Sequence, residues 1–390
     1  MAKVIRRTWV TAQGEQKEAW IVRYYQNGKQ HIKTYARKKD AEAYMHEVGV
    51  GIRNRTHIAP SQSITVAVAA DRWIAASEAA GLEPTTIEFY RAHVEKHIKP
   101  MIGSVKLADF TSAAIGDFEK MLRDAGRSKV LVGKVMVSLS SILSEAVSDG
   151  LVARNVVREQ SRSKGRRKHV ARRLKPVVEA GKNMPTPEEM RAILEATSPR
   201  WHTFMLLAAA TGMRVSELRG LFWDCVDLKD GAIHVRRRAD KNGTIGALKS
   251  EKSRRTITIG PRLVMALREW KLKSGGGEIV FPSEARCHSA NKVLALSSII
   301  RLGLVPAVLC AGLKDKDGRA RYSGMHCLRH YHASLCLNPA SRGGLGLSPK
   351  ETQERLGHAS ITITMDTYGH LFPKQDDGGA LVAAEAALLG

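Results

Sequence analysis

Cysteine is scarce and unpatterned: five residues in 390 (Cys225, Cys287, Cys310, Cys327, Cys336), an odd number with no CxxC pair. Neither a disulfide framework nor a structural zinc site fits that pattern. Long apolar runs are missing as well. The longest candidate, around Leu294–Leu313, is broken by Arg301, so no stretch reaches the ~18–20 residues of a membrane span. Met1–Arg7 holds no apolar h-region, and no secretory signal is expected. No G-x-x-x-x-G-K-[ST] loop exists, and no D-x-D or D-E pair with metal spacing accompanies the arginine and histidine motifs of the last domain. ATP-driven chemistry and metal-assisted hydrolysis lose ground accordingly. A soluble, cytosolic protein without metal or cofactor is the expectation.

Acid is in deficit. Sixty-two Lys and Arg face 38 Asp and Glu, a formal charge of +24. Self-repulsion of that size works against a compact fold unless a polyanion neutralises it. Nucleic acid fits better than a membrane surface, because no basic amphipathic helix with a Trp/Leu face is present.

The chain reads as a multidomain, mainly helical α+β protein. Residues 1–60 suggest a small sheet followed by a helix. Trp20, Val22 and Tyr24 alternate with Ile21, Arg23 and Tyr25, the period of a strand. Asn27-Gly28 supplies a tight hairpin turn, His31–Tyr35 the returning strand, and Lys38–Val50 a helix. With 12 basic against 5 acidic residues, this unit suits DNA. Residues 61–156 read as a helical bundle. Thr85-Thr86-Ile87-Glu88 resembles a capping box, Ala113–Asp124 and Lys129–Asp149 are amphipathic, and Gly150 closes the last helix.

Residues 157–185 form a basic linker. Gln160–Lys175 holds eight Lys and Arg and no acid. Such a block stays extended until an anion neutralises it, which makes Arg162, Lys164, Arg166, Arg167, Lys168, Arg172 and Arg173 candidates for tracking a phosphate backbone. Residues 186–372 form a mixed α/β domain. It opens on a capping box with proline at the first helical position, Thr186-Pro187-Glu188-Glu189. Strands are expected near Ala232–Arg238 and Arg255–Ile259, separated by a polar, turn-rich stretch. Residues 373–390 are an apolar tail after a break at Asp376-Asp377-Gly378-Gly379.

This last domain concentrates residues suited to a phosphodiester. Arg214 follows Thr211-Gly212-Met213, with Glu217 one helical turn on; His326 and Arg329 stand at i and i+3. Two guanidiniums and an imidazole can clamp non-bridging phosphate oxygens and move a proton. Together with Leu356-Gly357-His358 and Met365-Asp366-Thr367-Tyr368-Gly369-His370, these motifs resemble the tyrosine recombinases, specifically phage-type integrases. The resemblance is close over 186–372 and looser before it.

That resemblance implies a site-specific DNA recombinase, an integrase of a phage or integrative element. It implies Tyr368 as the nucleophile, which forms a 3′-phosphotyrosyl link, and Arg214 and Arg329 as the phosphate clamp. Lys249 matches the lysine that protonates the leaving 5′-oxygen, with Lys252 the other candidate. His326 would be the general acid/base, His358 a further phosphate hydrogen-bonder, and Glu217 a support for its helix or for Arg214. His330 and His370 read as structural, His370 donating to a carbonyl near the tyrosine. His332 and His288 have no motif around them.

The partners implied are double-stranded DNA at core and arm attachment sites and a homotetramer on that DNA. The resemblance further implies a DNA-bending protein and an excision factor as accessory partners, in the cytoplasm of a bacterial host and associated with its nucleoid. The tail Ala380–Leu389 is expected to dock on a neighbouring protomer. The rival readings are a type IB topoisomerase-like enzyme and a non-catalytic DNA-binding regulator. One departure from the family stands between Ser334 and Gln353, where Asn338–Leu345 lengthens a connection that Ser348-Pro349-Lys350-Glu351 ends with a capping box.

Overall fold

The computed structural model describes residues 3–11, 14–26, 28–53, 63–161, 178–248, 250–275, 277–283, 293–372 and 378–389. Lys249 and the basic-linker residues from Arg162 to Arg173 fall outside them, as do His288 and Asn27. The chain divides into two compact units, Met1–Arg172 and Arg173–Gly390.

The first unit holds two separate hydrophobic cores. One lies under an antiparallel sheet in the order β1-β2-β3, formed by β1 (Lys3–Val10), β2 (Gln16–Gln26) and β3 (Lys29–Tyr35). The period of two in β2 places Trp20, Val22 and Tyr24 on the face toward the helix Lys38–Arg53, against Ala41, Tyr44 and Val48. Arg23, Tyr25 and Ile32 stand on the other face, with Tyr25 and Ile32 exposed. β1 was not foreseen. Val4-Ile5-Arg6-Arg7 shows no alternation, and pairing with β2 reveals the strand.

The second core belongs to a helical bundle of Val66–Ala79, Pro84–His93, Ser112–Asp124 and Lys129–Ser148. Thr65, Thr111 and Ser128 cap three of these helices through their side-chain oxygens. The expected box at Thr85–Glu88 does not form. Pro84, one residue earlier, takes the first helical position because its missing N–H costs nothing there, and Glu83 becomes the N-cap without a side-chain bond. Lys129–Ser148, not Leu294–Leu313, is the helix long and apolar enough to weigh as a membrane span. Its Val132, Val135, Leu139, Ile142 and Leu143 are buried in the bundle core.

The second unit is built around Pro199–Thr211, a helix buried on most of its circumference. Packed about it are helices Pro187–Ala196, Pro261–Lys273, Val305–Cys310 and His326–Leu337, and an antiparallel sheet of β4 (Val226–Asp227), β5 (Ala232–Val235) and β8 (Arg255–Thr258). The polar stretch before β8 contains a hairpin of β6 (Arg237–Ala239) and β7 (Ile245–Ala247). Both capping boxes expected in this unit, at Thr186 and Ser348, are made in full.

Two π-helical turns, Val94–Ile98 and Ile299–Leu304, each precede a proline by two residues, Pro100 and Pro306. Proline withdraws an N–H and crowds the preceding turn, and the wider π turn absorbs that within a continuous helical path. The lengthened connection is compact. Leu345 and Leu347 donate back to the carbonyls of Leu335 and Cys336 before the helix Pro349–Leu356 begins.

Candidate active site

Four sequence motifs converge in the second unit. Arg214 is the N-cap of the short helix Val215–Arg219, and the Glu217 carboxylate accepts both its backbone N–H (2.9 Å) and its guanidinium (2.8 Å). The guanidinium sits on Oε1, while Oε2, which takes the backbone N–H, also accepts from Arg255 Nη2 at 2.8 Å. Glu217 is 2% exposed and the Arg255 side chain 6%, so one buried carboxylate serves two cations. Burial works to raise the Glu217 pKa, but Arg255 and Arg214 more than offset it and hold the group ionised. Arg255 was not singled out from sequence. It stands in a basic run, Arg254-Arg255, and only the sheet brings β8 beside Glu217.

Arg329, 3% exposed, donates to the carbonyls of Gly212 (2.6 Å) and Leu356 (2.7 Å). Arg214 donates to Gly357 O (2.9 Å) and Arg255 to Arg355 O (2.8 Å). Three guanidiniums therefore end on three successive carbonyls, 355 to 357, at the C-terminus of the helix Pro349–Leu356. A helix C-terminus leaves such carbonyls without partners and carries partial negative charge, which suits cations. Gly357 caps that helix at φ 66°, and a Cβ there would lie 2.9 Å from Arg255 Nη1. Gly212 serves the motif before Arg214 in the same way: φ is 61°, and a Cβ would meet the His332 ring at 2.6 Å. Glycine is required at both positions, by conformation and by space.

His358 follows the cap and is buried, its Nδ1 2.8 Å from Thr364 Oγ1. Its ring lies parallel to that of Tyr368, 7° apart at 6.3 Å. Tyr368 ends the helix Ile361–Tyr368 and is 2% exposed, packed with Val178, Met184, Ala333, Leu337 and Leu356. Burial pushes its phenol up to about 12. His326 opens the helix His326–Leu337 at the exposed edge of the site.

His330, read from sequence as structural, is the residue that meets the tyrosine: its Nδ1 is 2.8 Å from Tyr368 Oη. The signal was present in the i+4 step from His326, which sets the two rings edge to face at 5.1 Å. His370 meets a carbonyl as expected, that of Val178 at 2.8 Å. Lys252 donates to Ala359 O at 3.2 Å, just beyond His358.

The histidines around the arginines are held neutral. Burial first, then the cationic surroundings, lowers His358 and His332 to about 3 and His330 to about 4, and lowers His326 as well. For a base whose folded pKa is depressed, the unfolded chain binds the extra protons. Stability is then full above the ordinary value near 6.5 and falls as pH drops toward 3–4. The expected loss is about 1.4 kcal/mol per pH unit for each fully buried histidine. Thermal unfolding of the protein between pH 7.5 and 5.5 reads this directly, and a midpoint that does not fall would contradict it.

Residues 183–375 match the family described as phage integrase. A tyrosine recombinase XerC-like protein of Caldanaerobacter subterraneus subsp. tengcongensis is 26% identical over 368 residues, 87% of each chain. The ICEBs1 integrase of Bacillus subtilis is 26% identical over 290 residues, 72% of this chain and 73% of that one. Among solved structures, the Tn1549 transposon integrase in complex with a circular intermediate DNA aligns with a TM-score of 0.62 at 15% identity, over 83% of this chain and 100% of the other. A lambda integrase from a tetramer bound to a Holliday junction aligns at 0.54 and 20% identity, over 91% and 96%. The chain belongs to the tyrosine recombinase family, enzymes of site-specific DNA recombination that cut and rejoin strands.

Proposed function

We propose that this recombinase is the integrase of a phage or integrative element. It would insert and excise that element through a 3′-phosphotyrosyl intermediate. The observation that carries the reading is the cationic pocket: Arg214, Arg255 and Arg329 converge with one buried carboxylate among them. Such a site has net positive charge, fixed before the substrate arrives. It suits the charge that grows on the phosphoryl oxygens of a pentavalent transition state.

In this reading Arg214 and Arg329 clamp the scissile phosphate, with His326 and His358 beside it. Tyr368 attacks phosphorus, and Lys249 protonates the leaving 5′-oxygen. The covalent link conserves the bond energy, so rejoining needs no ATP. Because Tyr368 is 2% exposed, DNA binding has to open a path for the phosphate to its oxygen while the contact to His330 is kept. Incubation with a nicked core-site duplex, in chelator and without ATP, should yield a covalent protein–DNA adduct. Tight binding without any adduct would count against the reading.

Residues 1–60 would hold arm-type sites on the sheet face bearing Arg23 and Tyr25. Residues 61–156 and 186–372 would grip the core site, joined along the backbone by the linker 157–185 from Arg162 to Arg173. The functional unit would be a homotetramer on DNA in the bacterial cytoplasm, with a bending protein and an excision factor as accessory partners. Many neutralised phosphates mean that affinity should fall by roughly three decades between ~50 and ~200 mM salt; a flat dependence measured by anisotropy would sink the basic-clamp picture.

The tail helix Gly378–Leu389 leaves Val382, Leu388 and Leu389 exposed, which supports docking on a neighbouring protomer. Truncation after Lys374 is expected to impair tetramer assembly and recombination while sparing DNA binding. Normal recombination by the truncated chain would remove the tail from the mechanism.

A further inference from the structure

The reaction requires a group that takes the phenolic proton of Tyr368 as its oxygen bonds to phosphorus. His326 is the motif residue assigned to acid/base work, but it lies one ring too far out. The Tyr368 hydroxyl meets Nδ1 of His330 at 2.8 Å, and the two rings are edge to face at 5.6 Å. His326 meets His330 in turn, at 5.1 Å between ring centres, and is the exposed member of the three. The order running inward is therefore His326, His330, Tyr368.

We propose that His330, not His326, is the general base of strand cleavage and the general acid of rejoining; this rests on the reading of Tyr368 as nucleophile. In cleavage the Oη–H proton passes to His330 Nδ1, the Oη–P bond forms and the P–O5′ bond breaks. The leaving 5′-oxygen takes a proton from the separate acid assigned to Lys249. In rejoining the 5′-hydroxyl gives its proton back to that acid as its oxygen bonds to phosphorus, the P–Oη bond breaks, and the same Nδ1 proton returns to Oη. No oxidant, metal or cosubstrate enters the balance.

Three features suit His330 to this task. Its position is fixed by the helix His326–Leu337, whose next turn inward packs Ala333 and Leu337 into the cluster that holds Tyr368. Its ring is kept neutral by burial and by the cationic guanidinium of Arg329, which is the form able to accept a proton. On DNA the anionic phosphate offsets those cationic surroundings and moves the imidazole back toward the range of an effective base. His358, the other imidazole at the tyrosine, lies parallel to its ring and directs Nδ1 at Thr364 instead.

The experiment measures single-turnover formation of the covalent adduct on a nicked core-site duplex. His330→Phe, which keeps an aromatic ring and removes the nitrogens, should slow adduct formation by about 10²-fold or more with DNA affinity unchanged. Site-specific replacement of Tyr368 by 3,5-difluorotyrosine, a more acidic phenol, should recover most of that loss in the His330→Phe background. It should recover little in a His326→Phe background. A His330→Phe rate within threefold of wild type would overturn the proposal, and so would rescue confined to the His326 variant. If His330→Phe does not fold, His330→Asn with and without difluorotyrosine gives the same two readings. An adduct that persists in Tyr368→Phe would instead overturn the nucleophile assignment, so the two failures are told apart.

Discussion

Tyr368→Phe is expected to abolish the covalent adduct entirely while leaving DNA affinity within about twofold of wild type. The substitution removes one oxygen from a residue that is 2% exposed and therefore makes no surface contact with DNA in the resting enzyme. The ring stays in its cluster with Ala333, Leu337 and Leu356, and the lost hydrogen bond to His330 should cost about 1 kcal/mol of stability. Binding and fold are thus separated cleanly from chemistry. Denaturing electrophoresis of a nicked core-site reaction checks the adduct, and anisotropy checks affinity. An adduct at wild-type rate in the Phe variant would mean that another residue attacks.

Glu217→Gln should be the most destabilising single change in the site. It leaves Arg255 and Arg214 without the charge that both contact at 2.8 Å, and the Arg255 side chain is only 6% exposed. Breaking a buried ion pair from one side costs ~3–5 kcal/mol, because the remaining charge stays uncompensated. In a domain of this size that lowers the unfolding midpoint by roughly 6–20 °C. The sign of a ligand effect adds a second check. Inorganic phosphate, entering the same cationic pocket, should raise the midpoint more in the variant than in wild type. A midpoint within about 1 °C of wild type would show that the carboxylate is not the counter-charge.

The site was legible in the sequence where its geometry is local. The i, i+3 steps of Arg214–Glu217 and His326–Arg329 are fixed by helix pitch, and the boxes at Thr186 and Ser348 are closed within four residues. Thr85 shows the limit of the same rule: a proline one position earlier claims the helix start. What the sequence hid is long-range. Arg255 lies 38 residues from Glu217, and nothing in Lys252-Ser253-Arg254-Arg255 distinguishes the buried arginine from the exposed one. β1 sets its apolar and basic residues in adjacent pairs, Val4-Ile5, Arg6-Arg7 and Trp9-Val10, instead of alternating them, and β6 and β7 are too short to show a pattern. The sequence marked His330 only as packed in its helix, since a histidine beside an arginine reads the same whether or not a tyrosine 38 residues on turns back to it.

The helix Pro349–Leu356 is fastened at its far end, where Arg355, Leu356 and Gly357 hold the three guanidiniums. Its near end is closed by the Ser348 capping box. A chain segment anchored downstream tolerates length upstream, because added residues change the route of approach and not the point of attachment. The connection Asn338–Leu345 can therefore vary in length while His358 and its neighbours stay in register. It also marks that loop as the place where a foreign peptide, an affinity tag or a ligand-gated module could be spliced into the catalytic unit without detuning it.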